Sequence, residues 1–256
     1  MALSLFHRQL GNRQHANLII LHGLLGSSDN WQTLAKRYAQ THCVWLLDAR
    51  NHGRSPHDPL HTYAAMVDDV VEFMDEQEIG QARIMGHSMG GKTALMLGML
   101  HPERVERLVI ADMAARAYPV HHQPIFDALL GVDLTRVAGR DEVEQALNAR
   151  LDDPSIVAFL MKGLRRLKDG GYAWRANIPV LQSALAEVVG CVELLVNTLP
   201  TLAIHGGRSS YVSADDLEAF DRCFMQFESH CIAEAGHWLH AEQPDEFFQV
   251  TGDFLQ

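Results

Sequence analysis

Short apolar runs alternate with amphipathic stretches along most of the chain, and their two periods separate cleanly. Asn17-Leu-Ile-Ile-Leu-His22 is a compact apolar run of strand length. Cys43–Asp48, Ala82–Gly86, Val105–Asp112 and Thr201–His205 repeat it, and Met225–Ala233 adds another. Leu3–Leu10 suggests an extra edge strand, antiparallel to the rest. In Tyr63–Glu78 the residues Val67, Val70, Val71 and Met74 recur at helical spacing, with Asp68, Asp69, Glu72, Asp75 and Glu76 opposite them. That pattern predicts a helix whose acidic side is a solvated face rather than a metal site. Together the runs predict an α/β fold, a mostly parallel sheet of seven or eight strands with helices on both faces.

The rhythm breaks after Asp112. From there to Thr201 the patterns are helical, with no sheet strand, and are punctuated by Pro119, Pro124, Pro154, Pro179 and Gly170–Gly171. Arg165–Arg166, with Lys162 and Lys168, reads as one solvated helix face. Removing this stretch restores the alternation. Residues 1–113 and 199–256 are therefore expected to form a core domain, and 114–198 a helical cap. Open α/β sheets bind ligands beyond the carboxyl ends of their strands, which such a cap would roof.

Composition narrows the class. The chain has 256 residues, 47% of them apolar, and a net charge of −11. It has the means to bury a large core, and its acidity excludes a nucleic-acid partner, which needs clustered Lys and Arg. Cys43, Cys191, Cys223 and Cys231 form no C-x-x-C pair. Cys43 and Cys231 lie in strand-like runs, where a free thiol behaves as a small buried hydrophobe. No signal-like start and no membrane-length apolar run is present, so the expectation is a reduced, cytoplasmic protein, monomer or homodimer.

Gly86-His87-Ser88-Met89-Gly90 carries the chemistry. It follows a strand and opens a helix that is apolar nearly all round, with Ala94, Leu95, Met96, Leu97, Met99 and Leu100. A turn that sharp forces strained angles on its central residue and needs small neighbours two positions away. It projects the Ser88 hydroxyl above the sheet as a nucleophile. His22-Gly23-Leu24-Leu25-Gly26 closes an earlier strand. The main-chain N–H groups of Leu24 and Met89 are the expected oxyanion hole, with His22 shaping the loop.

A base is needed after the last strand. Of fifteen histidines, His237 in Ala235-Gly-His-Trp-Leu-His-Ala-Glu242 fits that place, with Trp238 beside it as a substrate-binding candidate. His240, a turn later, reads as structural, and His121, His122 and His205 as surface or cap residues. The acid is harder to find. After the strand that follows the cap stand Ser209 and Ser210, and neither hydroxyl can hold a charged imidazolium as a carboxylate does. Asp215 and Asp216 fall in a helix start after Ser213. Asp112, at the carboxyl end of a buried strand, needs a partner because an unpaired buried charge is costly. His237 supplies one, and a turn-capping role for Asp112 is the weaker reading.

Together, His22-Gly-x-x-Gly26, Asp48-x-Arg-x-His-Gly-x-Ser55, Gly86-His-Ser-Met-Gly-Gly91 and Gly236-His-Trp-x-His-Ala-Glu242 resemble the α/β-hydrolase superfamily across nearly the whole chain. Asp48-Ala-Arg-Asn-His-Gly53, Lys92 and Gly206-Gly-x-Ser-x-Tyr-Val212 are most similar to bacterial YbfF-type esterases. The resemblance implies a small cytoplasmic carboxylesterase or thioesterase with a helical cap, whose acid follows the earlier strand, in agreement with Asp112. The expected partner is a small acyl ester or thioester, with no metal and no organic cofactor. Phe126, Leu129, Leu130, Phe159, Leu160, Val180 and Leu181 are candidates to line an acyl pocket. Asp48, Arg50 and His52 are expected to brace loops. A cofactor-free haloperoxidase and a non-catalytic ligand-binding protein stand as alternatives. An aspartate-based dehalogenase is disfavoured by the serine at the elbow.

Overall fold

The computed structural model describes residues 1–168 and 170–256. Its central sheet contains β1 (His7–Leu10), β2 (Asn17–Leu21), β3 (Cys43–Leu47), β4 (Ala82–His87) and β5 (Val105–Ala111), then, past a ribbon of β6 (Leu164–Arg166) and β7 (Tyr172–Trp174), β8 (Asn197–Gly206) and β9 (Phe224–Ile232). The strand order is β1-β3-β2-β4-β5-β8-β9. Every neighbouring pair is parallel except β1 with β3. The extra edge strand is therefore antiparallel as expected, although it starts at His7 rather than Leu3.

Alternation along the strands sorts the core into two layers. Leu18, Ile20, Val44 and Leu46 face one side, against Trp31, α1 (Gln32–Tyr38) and, from the chain end, Phe247 and Phe254. Ile19, Leu21, Trp45 and Leu47 face the other, against α2 (Tyr63–Glu76) and α3 (Met89–Leu100). Buried on both faces, these strands read as continuous apolar runs. Cys43 is buried, but Cys231 is exposed because β9 is the sheet's outer edge.

Between β5 and β8 run α4 (Gln123–Leu130), α5 (Arg140–Asn148), α6 (Pro154–Met161), α7 (Ile178–Ser183) and α8 (Leu185–Val188). They enclose an apolar cluster of their own around Phe126, Leu147, Val157 and Leu181, and Leu24 and Leu25 pack against it from below. The stretch is not wholly helical. Leu164–Arg166 pairs antiparallel with Tyr172–Trp174. Arg165 and Arg166 thus belong to a strand rather than a helix face, a register that the short exposed hairpin hides from any helical period. β8 opens at Asn197, inside the range assigned to the cap. After β8 come α9 (Ala214–Cys223), α10 (Leu239–Glu242) and α11 (Pro244–Phe254).

The acidic side of α2 departs from expectation at Asp69. Its carboxylate is buried, not solvated, and receives two bonds of 2.6 Å from the Arg50 guanidinium and one of 2.7 Å from the Leu3 N–H. Arg50 spends a further donor on the Leu60 carbonyl. The pair is fully out of water, so geometry and extra hydrogen bonds must offset its desolvation. It ties the Asp48–Ser55 loop to the helix beneath. In the same loop Asp48 accepts from the Ser28 and Arg54 N–H groups, and His52 Nε2 accepts from the Leu25 N–H.

Several imidazoles are buried under the strand ends. His22 lies 5.1 Å from His52, and His52 lies 5.7 Å from His61. His87 lies 4.6 Å from His240, whose ring stacks on Trp31 at 4.2 Å. Burial disfavours their charged forms, pushing His61 down to about 4 and His87 to about 3 from the ordinary 6.5.

Two outcomes follow from these buried charges. Asp69→Asn strands the Arg50 cation, and urea denaturation should show a loss of about 3–5 kcal/mol. Arg50→Met with Asp69→Leu should recover most of it, and a single-variant loss below about 1 kcal/mol would contradict the buried-pair reading. Because the folded imidazoles bind protons less readily than unfolded ones, their stabilisation is complete above about pH 6.5 and is lost as pH falls toward 4. Each fully buried imidazole removes about 1.4 kcal/mol per pH unit in that window. The urea midpoint should therefore drop between pH 6.5 and 5, before most carboxylates titrate, and a flat midpoint there would contradict it.

Candidate active site

Sheet order brings the motifs together. β2 and β4 are neighbours with Leu21 opposite Gly86, so the loop after β2 and the turn after β4 leave the sheet side by side. β5 adjoins β4 with Ala111 opposite His87, and β8 adjoins β5 with Ile204 opposite Ala111. The site therefore grows where the strand order reverses, at the carboxyl edge of the sheet.

Ser88 sits between β4 and α3 at φ 54°, ψ −120°, a backbone conformation costly for a residue with a side chain. Its N–H is held by the Ala111 carbonyl at 3.1 Å. A side chain at Gly86 would collide with the Gly90 backbone, and one at Gly90 with that of Leu21. Only glycine permits the turn at both places. Asp112 is strained as well, at φ 47°, as is Leu25 on the cavity wall, at φ 61°. The Asp112 N–H donates to the Ile204 carbonyl at 2.8 Å, so β8 fixes its backbone.

The carboxylate of Asp112 is fully buried and is a point of convergence. Oδ1 accepts from the Gly206 N–H at 3.1 Å. Oδ2 accepts from the Ser209 hydroxyl at 2.5 Å and from His237 Nδ1 at 2.7 Å. His237 Nε2 lies 3.0 Å from Ser88 Oγ. Since a carboxylate only accepts, Nδ1 carries the imidazole proton and Nε2 faces the serine hydroxyl with its lone pair. Ser88, His237 and Asp112 thus form one unbroken hydrogen-bonded line.

The imidazole is confined on several sides. The Tyr211 ring stacks on it at 3.9 Å and 16°. Beneath, His87 Nε2 donates to the His237 carbonyl at 2.8 Å, which fixes the main chain of the loop. Glu242 accepts from the Gly236 and Trp238 N–H groups, closing the loop on its far side. Burial holds His87 neutral, so it brings no charge toward His237.

Over Ser88 lies a cavity of about 750 Å³, within the size range of small-molecule sites. Leu24, Leu25, Ile125, Ile156, Phe159 and Trp238 give it an apolar wall, and Arg116, Tyr118, His121, His122 and Tyr211 a polar one. His121 Nε2 shares a 2.7 Å hydrogen bond with the Tyr211 hydroxyl. Leu24 N–H donates to no protein acceptor among the described residues, and Met89 is the first residue of α3, whose N–H has no partner within the helix. Gly23 lies close against His87 and Ser88. Among the described residues no group of three or more His, Cys, Asp or Glu side chains could hold a metal ion, and the buried imidazoles are no exception.

Most residues singled out in the sequence meet here. His22 lies on the cavity wall but is occupied by the loop, its Nε2 accepting from the Ala49 N–H. Of the proposed acyl-pocket residues, only Phe159 and Leu160 line the cavity. Phe126, Leu129 and Leu181 fill the apolar cluster between the intervening helices, Leu130 is exposed, and Val180 is only half-buried. Asp215 is exposed in the first turn of α9, and Asp216 closes the capping box with the N-cap Ser213 and pairs with Arg116. Sequence reasoning missed Tyr211, Tyr118 and Arg116, and gave His121 and His122 no role at the cavity. The run that contains Ser209 and Tyr211 was visible, but nothing in its spacing says that a tyrosine stacks on an imidazole from a different loop.

Known proteins bear out the family. The α/β hydrolase fold family matches residues 16–137. The Escherichia coli esterase YbfF is 37% identical over 96% of both chains. An sn-1-specific diacylglycerol lipase, ABHD11 of Danio rerio, is 33% identical over 96% of this chain and 80% of its own. A solved esterase from a marine microorganism superposes with a TM-score of 0.96 at 37% identity, over 99% of this chain and 100% of that one. No helix among the described residues is long and apolar enough to cross a membrane. The chain belongs to the α/β-hydrolase fold family and is an enzyme of its esterase-type hydrolases.

Proposed function

We propose that the protein is a serine carboxylesterase, hydrolysing acyl esters or acyl thioesters through an acyl-enzyme on Ser88. The observation that carries this is the line from Ser88 Oγ through His237 to the buried Asp112, opening into a largely apolar cavity. Helices α4 to α8 and the β6–β7 ribbon act as the cap over that cavity.

Ser88 Oγ attacks the acyl carbonyl carbon as His237 Nε2 takes its proton. Negative charge gathers on the carbonyl oxygen, and in this reading the N–H groups of Leu24 and Met89 receive it. The N-terminus of α3 favours the same charge. The bond to the leaving oxygen or sulfur then breaks, and His237 returns the proton to it. A water molecule repeats the attack on the acyl-enzyme, its proton passing through His237 to Ser88, which releases the acid. Asp112 keeps the imidazole in the productive tautomer and stabilises its cation. Ser209 and the Gly206 N–H hold the carboxylate in place.

Length in the acyl group is accommodated along Leu24, Ile156, Phe159 and Trp238, with Arg116 and Tyr118 bounding the same cavity beside it. A cytoplasmic setting fits four cysteines that form no disulfide. No feature of the cavity favours a haloperoxidase or a binding-only role.

p-Nitrophenyl esters from acetate to palmitate test the reading. Ser88→Ala should abolish turnover, and Asp112→Asn should lower kcat by roughly 10³–10⁴ at little cost in KM. A loss below about tenfold for Asp112→Asn would remove it as the acid, and a wild type inert on every ester and thioester would remove the function.

A further inference from the structure

Lys92, in the first turn of α3, plays no part in the chemistry above, yet its side chain is fully buried. Charged side chains are almost never buried so completely unless paired. No carboxylate pairs with it among the described residues. Instead Nζ donates to the carbonyl of Arg116 at 2.8 Å and to that of Gly190. The ammonium also lies 4.8 Å from the centre of the Tyr118 ring. Burial pushes Lys92 down to about 8, so the group remains mainly a cation at neutral pH.

The two carbonyls mark the two ends of the cap. Arg116 stands where the chain leaves β5 for the helices, and Gly190 where it returns toward β8. The same two passages are joined by main-chain bonds of 2.8 Å, from Tyr118 N–H to the Val189 carbonyl and from Val192 N–H to the Ala115 carbonyl. Tyr63, on α2, adds its hydroxyl to the Val188 carbonyl at 2.6 Å. Lys92 thus links the nucleophile's own helix to both passages of the cap's base.

From that base a chain of contacts reaches the site. The Tyr118 hydroxyl accepts from the Ala114 N–H at 2.8 Å and donates to the Tyr211 carbonyl at 2.7 Å. The ring of Tyr211 is the one stacked on His237. Arg116 lies over the Tyr118 ring at 4.2 Å, and both side chains line the cavity. We propose that Lys92 is a positioning residue, a clasp that holds both ends of the cap to the nucleophile helix and so sets the Arg116–Tyr118 wall for bulky acyl substrates. The proposal rests on the reading of the cavity over Ser88 as the ester site.

Lys92→Met keeps the apolar stem and removes the donors, and Lys92→Gln keeps an amide donor on a shorter stem. Hydrogen exchange, followed by mass spectrometry on peptides covering 114–119 and 188–193, reads the clasp without reference to activity. KM and kcat for p-nitrophenyl acetate and decanoate, per active site titrated with a fluorophosphonate, read its consequence. In Lys92→Met, exchange in those two peptides should rise about tenfold or more while β4 and β5 stay protected, since a charge-assisted bond is lost at each end. The decanoate KM should rise by about tenfold, with a much smaller change for acetate, which is too short to need the wall. Lys92→Gln should fall between, and serves alone if Lys92→Met does not fold. Unchanged exchange at both peptides, or an equal loss for both esters with KM unmoved, would overturn the proposal. Should the wild type hydrolyse neither ester, the esterase reading fails, while the exchange arm still decides whether the clasp exists.

Discussion

A single buried carboxylate organises the end of this sheet. Asp112 has no exposed surface, and three donors from two separate parts of the chain converge on it: the Gly206 N–H, the Ser209 hydroxyl and His237. Leaving such a charge unpaired costs several kcal/mol, so the loop after β8 and the loop after β9 are both drawn to one point. The same bonds aim His237 at Ser88 and fix which nitrogen bears the proton. In the proposed mechanism, stability and chemistry thus share one set of contacts.

Two of the fold's strained backbone positions sit beside that carboxylate. Ser88 and Asp112 both adopt positive φ, and both are pinned by main-chain bonds to the neighbouring strand. Such angles persist only where the surroundings over-determine them, and such places cluster at working sites. Around them the buried histidines remain neutral, and His237 is the imidazole that touches both the Asp112 carboxylate and the Ser88 hydroxyl. Arg50 with Asp69, and Asp48 with the Ser28 and Arg54 N–H groups, secure the adjoining loops without facing the cavity.

Much of this was legible in the chain. The inner sheet strands show as apolar runs because they are buried on both faces, and the elbow shows because only glycine fits at 86 and 90. Asp112 was reached by elimination, since Ser209 and Ser210 occupy the place where an acid was sought, and its carboxylate does meet His237. Ser209 nonetheless serves the site, by holding Asp112 rather than replacing it. What stayed hidden depends on contacts between distant segments. Asp69 looks solvated by helical period, but Arg50 from another loop buries it. The β6–β7 hairpin is too short for a strand period to register. Tyr211 and Lys92 sit in visible motifs, yet their partners, His237 and the carbonyls of Arg116 and Gly190, are set by the fold.

The proposed acyl-enzyme is the most direct thing to look for. Wild type mixed with p-nitrophenyl decanoate and quenched in acid within a turnover should carry one added decanoyl mass, and peptide mapping should place it on Ser88. The same quench with Ser88→Ala should show none. Steady turnover with no adduct at any quench time, or an adduct on a residue other than Ser88, would contradict the mechanism.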